Sequence, residues 1–173
     1  VGARELLHDV DRWCLWLEEL EASDLQRSSK LKTRIEAVRE FRLSSKKKAT
    51  RDLAATPHLF AERRQPTMPY LCIPSVVSET RKFFTTRRLP VDTISSNLVF
   101  TAEDADGYLF GIVSSSMFIT WQKAIGGRLE SRLRFSNTVV WNNLPLPVVN
   151  DQVRKDIIAA GDGVVDARNL HPE

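Results

Sequence analysis

Glu130, Ser131, Arg132 and Arg134 place an acid, a hydroxyl and two guanidinium groups within five residues. They lie in GGRLESRLRFSNTVVWNNLPLP, residues 126–147, between a glycine pair and two prolines. A guanidinium is a planar fork of donors, whereas a carboxylate only accepts. Alternate residues of an extended backbone share a face, so Glu130, Arg132 and Arg134 are expected on one side. A buried strand would not carry so many charges, and a plain surface loop would not lead into Thr138-Val139-Val140-Trp141. The set suits hydrogen bonding to something outside the chain. The competing reading is an ion pair between Glu130 and a neighbouring arginine.

Self-contained catalysis has little support. The chain has no GxGxxG or Walker A sequence, and no GxSxG, HExxH or CxxC. It lacks an Asn-Pro-Pro-Tyr type motif for methyl transfer to an amino group, and a Pro-Asp…Glu-x-Lys cluster for metal-dependent cleavage. His8, His58 and His171 have no ligand spacing. Glu103, Asp104 and Asp106 crowd together where a helix is expected to begin, which fits the helix dipole better than catalysis. The chain reads as a binding module and not as an enzyme in itself.

Charge is unevenly distributed. Residues 1–26 hold seven acids and two bases, whereas residues 27–64 hold twelve bases and four acids. Clustered cations favour a polyanionic partner because they release counterions from phosphates, although a solvated helix face fits as well. Arg27, Lys30 and Arg34 are expected along one flank of a helix, where they would meet phosphates. Lys46 and Lys47 fit either phosphate contact or a solvated helix start. Cys14 and Cys72 each lie in an apolar run, which points to core packing in a reducing compartment. With no leader and no membrane-length apolar stretch, the expected location is cytoplasmic, with no membrane partner. A first residue of valine and a polar end lead us to expect a piece of a longer protein.

These side chains need elements to hold them. Residues 12–17 read as a strand or the end of a helix begun near Arg4. A helix is expected from a cap at Ser23-Asp24 to Leu43, with Arg42 or Phe41 completing its apolar stripe, and another from residues 45–48 to before Pro57. Strands are expected at 70–74, 82–86, 94–101 and 139–141. Between the last two, Asp104 to Ala124 should be one buried central helix stopped by Gly126-Gly127. A final helix from Asp151 should break near Gly161–Gly163. Trp13, Trp16, Trp121 and Trp141 are expected in the core. Helices and strands segregate, so the fold class is α+β: N-terminal helices plus a mixed or antiparallel sheet packed on a central buried helix.

Several stretches occur in a familiar order: RWCLWL at 12–17, RIEAVREFR and SSKKKATRDLAATPHLF within 34–60, and YLCIPSVVSETRKFF at 70–84. FGIVSSSMFITWQKAIGGRLESRLRFS follows at 110–136 and VVWNNLPLP at 139–147. Together they resemble the target recognition domain of MmeI-like type IIG or IIL restriction–modification DNA methyltransferases. The resemblance implies a recognition domain over 1–148 and the start of a helical C-terminal region over 149–173. It implies a parent that methylates adenine with S-adenosylmethionine, and uses Mg2+ if a nuclease is present; no cofactor is expected in this fragment. The implied partners are double-stranded DNA and the methyltransferase domain of the same chain.

By the same resemblance, the base-reading residues are Ser75, Asn97, Leu98, Glu130, Ser131 and Arg134. Arg132 joins them by sharing a face. Arginine can take a guanine edge bidentately and glutamate can accept from cytosine. Arg128 is expected as a structural or phosphate contact. Ser78 to Arg81 fits a turn that presents Arg81 to DNA, or a capping role for Ser78 and Glu79. The chain departs from the family at Ile119, Leu133, Phe135 and the NNLPLP ending, swaps that keep bulk and lose polar tips. A sequence-blind nucleic-acid binder and a protein-docking module remain the alternatives.

Overall fold

The computed structural model describes residues 1–8, 10–146 and 148–171. Pro147, expected to close the recognition unit, lies outside them. The chain forms two compact units: Trp13–Arg64, and residues 1–12 together with those from Gln65 onward. The expected α+β class holds, although the expected single sheet is two separate antiparallel sheets.

In the larger unit, helix α1 (Ala3–His8) precedes strand β1 (Tyr70–Pro74). β1 is the centre of a sheet with β3 (Arg87–Leu89) and β4 (Val99–Glu103) on either side. Every residue of β1 is buried, so both of its faces are covered. Leu71 and Ile73 join the main core with Phe84, Phe110 and Phe118, while Tyr70 and Cys72 pack with Leu6 and Leu89. That is the period of two expected of a strand buried on both faces. The second sheet has the order β2 (Val76–Val77), β6 (Arg132–Arg134), β5 (Gly127–Leu129).

The expected central helix is two helices, α5 (Tyr108–Val113) and α6 (Ser116–Ile125). Ser115 divides them, because its hydroxyl caps α6 by accepting from the Phe118 amide at 3.1 Å. The acids before α5 do act on its N-terminus. Asp104 is buried, and its carboxylate accepts from the amides of Leu109 and Phe110 at 3.0 Å each. Asp106 accepts from the Tyr108 amide at 3.1 Å. Glu103, however, belongs to β4 and accepts from the Thr67 hydroxyl at 3.3 Å.

Other boundaries move for local reasons. Residues 82–86 form no ladder; Phe84 is buried and the Thr86 hydroxyl donates to the Cys72 carbonyl at 2.7 Å, so pairing begins at Arg87. Pairing in the 94–101 stretch begins only at Val99, since Ser96 forms a turn that receives the amides of Leu98 and Val99. The stretch 137–141 is a π-helical turn instead of a strand. Ser136 accepts from Val139, and the Asn143 amide donates to the carbonyls of Thr138 and Val139. These local bonds satisfy the backbone without a partner strand, overriding β propensity.

Helix α7 (Asp151–Leu170) runs unbroken through Gly161 and Gly163. Gly161 marks a helix crossing: a Cβ there would lie 3.2 Å from the Gly111 Cα of α5. The glycines let two helices approach closely.

In the smaller unit the expected long helix is split into α2 (Ala22–Arg27) and α3 (Ser29–Leu43). Glu21 and Asp24 form a capping box for α2, and Ser28 caps α3 by accepting from Leu31. Helix α4 (Lys48–Asp52) continues into a 3-10 turn at Leu53–Ala55. Arg42 faces inward as a connector. Its guanidinium donates to the carbonyls of Leu53, Thr56 and Leu59. Residues 12–17 form neither helix nor strand. Trp13 is 90% exposed and Cys14 is exposed, contrary to the core expectation, while Trp16 stacks on Phe60 at 5.5 Å.

Candidate nucleic-acid interface

The polar set of residues 130–134 is a tight hairpin. Leu129 pairs with Arg132 across a two-residue turn made by Glu130 and Ser131. Glu130 holds φ of +58° and is the only non-glycine residue with positive φ among the described residues. Such a first turn position normally favours glycine. Glu130 therefore does not share a strand face with Arg132 and Arg134, as an unbroken extended segment would require. It reaches back from the turn, and Arg132 donates to its carboxylate at 2.7 Å. The ion-pair reading of Glu130 is the arrangement the structure holds.

Strand alternation sorts the rest. Leu133 points into the core, opposite Val77. Arg132 and Arg134 lie on the exposed face. Arg134 is flanked by Val76 and Gly127. A Cβ on Gly127 would meet nothing within 4 Å, so the space beside Arg134 is open. The Arg134 side chain has no hydrogen bond or ion pair among the described residues.

Gly126-Gly127 does end α6, but neither glycine needs a positive φ. At Gly126 the lack of a side chain serves close packing: a Cβ there would collide with the Gln122 side chain and lie 2.4 Å from its backbone oxygen.

The distant candidates converge through the backbone of Ser75. Its amide donates to the Leu98 carbonyl at 3.4 Å, and its carbonyl accepts from the Phe135 amide at 2.9 Å. Leu98 is 61% exposed and Asn97 is exposed, both in the turn before β4. Ser131 is exposed in the hairpin turn. Three separate stretches of sequence thus meet at one junction.

Arg128 is committed to structure. It pairs with Glu79 at 3.3 Å and donates to the Ser131 carbonyl at 3.0 Å, bracing the turn. Residues 78–81 form a turn and not a helix cap, with the Arg81 amide donating to the Ser78 carbonyl at 3.3 Å. Sequence reasoning overlooked Arg168 near the end of α7. It donates to the Thr86 carbonyl at 2.7 Å and lies over the Phe110 ring. Burial holds its pKa below the usual arginine value, and the charges of Arg87 and Arg81 act in the same direction.

In the smaller unit, Ser29, Lys30, Thr33 and Arg34 line a shallow depression. Arg27, Lys46 and Lys47 are exposed, whereas Lys48 pairs with Asp52 at 2.9 Å. Not all of this basic segment is available to a polyanion. Arg51 joins Arg42 in internal work, donating to the carbonyls of Ser45 and Lys46. Trp121 and Trp141 pack against the core, and the Trp121 indole donates to the Val140 carbonyl at 2.9 Å. Among the described residues no group of three or more His, Cys, Asp or Glu could hold a metal ion, and no helix is long and apolar enough to cross a membrane.

The family model described as MmeI, target recognition domain, matches residues 1–148. The chain belongs to the MmeI target recognition domain family. It is 33% identical over 168 residues to DNA methyltransferase A of Bacillus subtilis (strain 168), covering 97% of this chain and 19% of that protein. It also matches a solved structure of the type IIL restriction–modification enzyme MmeI in complex with DNA. That match has a TM-score of 0.92 and 38% identity, and covers 100% of this chain and 23% of the other. The chain thus spans about a fifth of the length of these relatives. The departures at Ile119, Leu133 and Phe135 are all buried, so the polar tips they lack fall in the core of the domain.

Proposed function

We propose that this chain selects the DNA sequence at which a larger restriction–modification enzyme methylates adenine. Residues 1–148 form the reading domain, and α7 begins the helical region that follows. The observation that carries this reading is the junction at Ser75, which ties the Leu98 turn to the hairpin strand of Arg134. An exposed guanidinium beside an open glycine position can enter a groove and take a guanine edge, with ~1–3 kcal/mol of discrimination. Glu130 and Arg132 enter as a pair, and a carboxylate beside DNA suits an acceptor for a cytosine amino group far better than a phosphate contact. Ser75, Asn97, Leu98 and Ser131 complete the reading set.

Arg27, Lys30, Arg34, Lys46, Lys47 and Arg81 hold phosphates, which set the register without reading sequence. Arg128 keeps its bracing role. Methyl transfer requires S-adenosylmethionine, which we assign to the methyltransferase portion outside this chain. This chain has no glycine-rich phosphate or dinucleotide loop of its own.

The test is sequencing of DNA methylated by the full-length enzyme, wild type beside Arg134→Ala and Glu130→Lys. The expected result is a motif altered at a single base position in each variant. Equal loss at every site would make these residues part of a sequence-blind grip. An unchanged motif with full activity would remove them from the interface.

A further inference from the structure

Gln122 is a polar residue in an apolar place. It lies on α6, is fully buried, and sits beneath the strand that carries Arg134. Its side-chain amide donates to the Arg134 carbonyl at 3.0 Å. Its own backbone carbonyl accepts from the Gly126 amide at 2.9 Å. A Cβ on Gly126 would fall 1.9 Å from the Gln122 Nε2 and 2.8 Å from its Cδ. The bare glycine is therefore the seat in which the amide lies.

The same amide leaves its Oε1 buried with no partner among the described residues. An unmet buried acceptor is costly, and a leucine or methionine would fill the space without that cost. Packing alone thus does not account for a glutamine here. What the amide does and an aliphatic chain cannot do is fix the backbone of Arg134. That backbone carries a long side chain outward, so a small shift of the strand becomes a larger displacement of the guanidinium. Bidentate recognition of a base edge is sensitive to such displacement.

We infer that Gln122, seated on Gly126, is a positioning residue for sequence readout by Arg134. The inference rests on the base-reading role proposed above. It predicts a change in discrimination and not merely in the amount of folded enzyme.

The test uses the full-length enzyme and a set of duplexes that differ from the preferred site at one base pair each. Initial methylation rates are compared for wild type, Arg134→Ala, Gln122→Met and Gly126→Ala, with thermal melting of each. Arg134→Ala identifies the base position concerned. Gln122→Met and Gly126→Ala are expected to lose ~10-fold in discrimination at that same position and to keep discrimination elsewhere. Gly126→Ala crowds the Gln122 backbone oxygen, 2.4 Å from the added Cβ, as well as the amide, so should Gln122→Met fail to fold, Gln122→Leu, which removes the amide with a smaller side chain, carries the comparison. Equal rate loss on all duplexes would reduce Gln122 to a structural role and overturn the inference alone. An Arg134→Ala enzyme with unaltered base preference would overturn the reading role and this inference with it.

Discussion

Arg132 donates a 2.7 Å hydrogen bond to the carboxylate of Glu130, a residue held at φ of +58° in the turn two positions earlier. Left-handed backbone costs an L-residue about 1–2 kcal/mol. An exposed ion pair returns at most about 1 kcal/mol. Glu130→Gly should therefore leave stability within about 1 kcal/mol of wild type, while Glu130→Val should lower it by about 1–2 kcal/mol. Urea unfolding of the two variants measures this. Equal stability of Val and Gly at this position would mean the turn relaxes without strain.

The crossing of α5 and α7 gives opposite expectations for two glycines. A Cβ on Gly111 would lie 2.6 Å from the Ile157 carbonyl oxygen, so Gly111→Ala must push the helices apart, costing about 1–3 kcal/mol. Gly163 has nothing within 4 Å of such a Cβ and lies inside α7. Gly163→Ala should raise stability by about 0.5–1 kcal/mol. The two melting temperatures should move in opposite directions.

The start of α5 is tied to α7 by a titratable bridge. Asp106 accepts from Arg154 at 2.7 Å. Partial desolvation pushes its carboxyl up, but the Tyr108 amide and the Arg154 guanidinium outweigh that and hold it below its ordinary value. For a depressed carboxyl the stabilisation is complete above the unfolded value of about 3.9 and is lost as pH falls through the folded value. The difference in melting temperature between wild type and Asp106→Asn should be constant near neutrality and close in acid. A difference that persists unchanged through the acid range would assign the effect to geometry alone.

The cysteines should separate cleanly by chemistry. Cys72 is buried, and burial pushes its thiol up to about 12. Cys14 is exposed. A maleimide at pH 8 should label Cys14 in the folded protein, and Cys72 only after unfolding. Peptide mass mapping reads the outcome, and early labelling of Cys72 would show that the sheet around β1 opens readily.

Much of the candidate site was legible because its residues are neighbours in sequence. Glu130, Ser131, Arg132 and Arg134 announce themselves by type and spacing. Their arrangement was not legible. A period of two treats 130–134 as one strand, whereas positive φ at Glu130 folds it into a hairpin and turns an expected co-facial trio into a pair and a free arginine. Gln122 and Arg168 gave no signal, since each sits in a helical run and acts on a carbonyl far away in the chain. The π-helical turn at 137–141 was hidden because Val139, Val140 and Trp141 all favour strands, and the short-range bonds from Ser136 and Asn143 that override them leave no mark in apolar patterning.

By itself the sequence determined the fold class, a strand at 70–74, the stop at Gly126 and the ordered motifs that mark the family, because apolar runs, capping residues and each short motif are read from neighbouring residues. Only the tertiary structure decided which charges are free. Arg42, Arg51 and Arg128 look as available as Arg134 when written in a line, yet backbone carbonyls and Glu79 engage the first three. The physical reason is that a guanidinium's partners are set by which carbonyls and carboxylates the fold brings within about 3 Å of it, and that proximity is not a property of neighbouring residues.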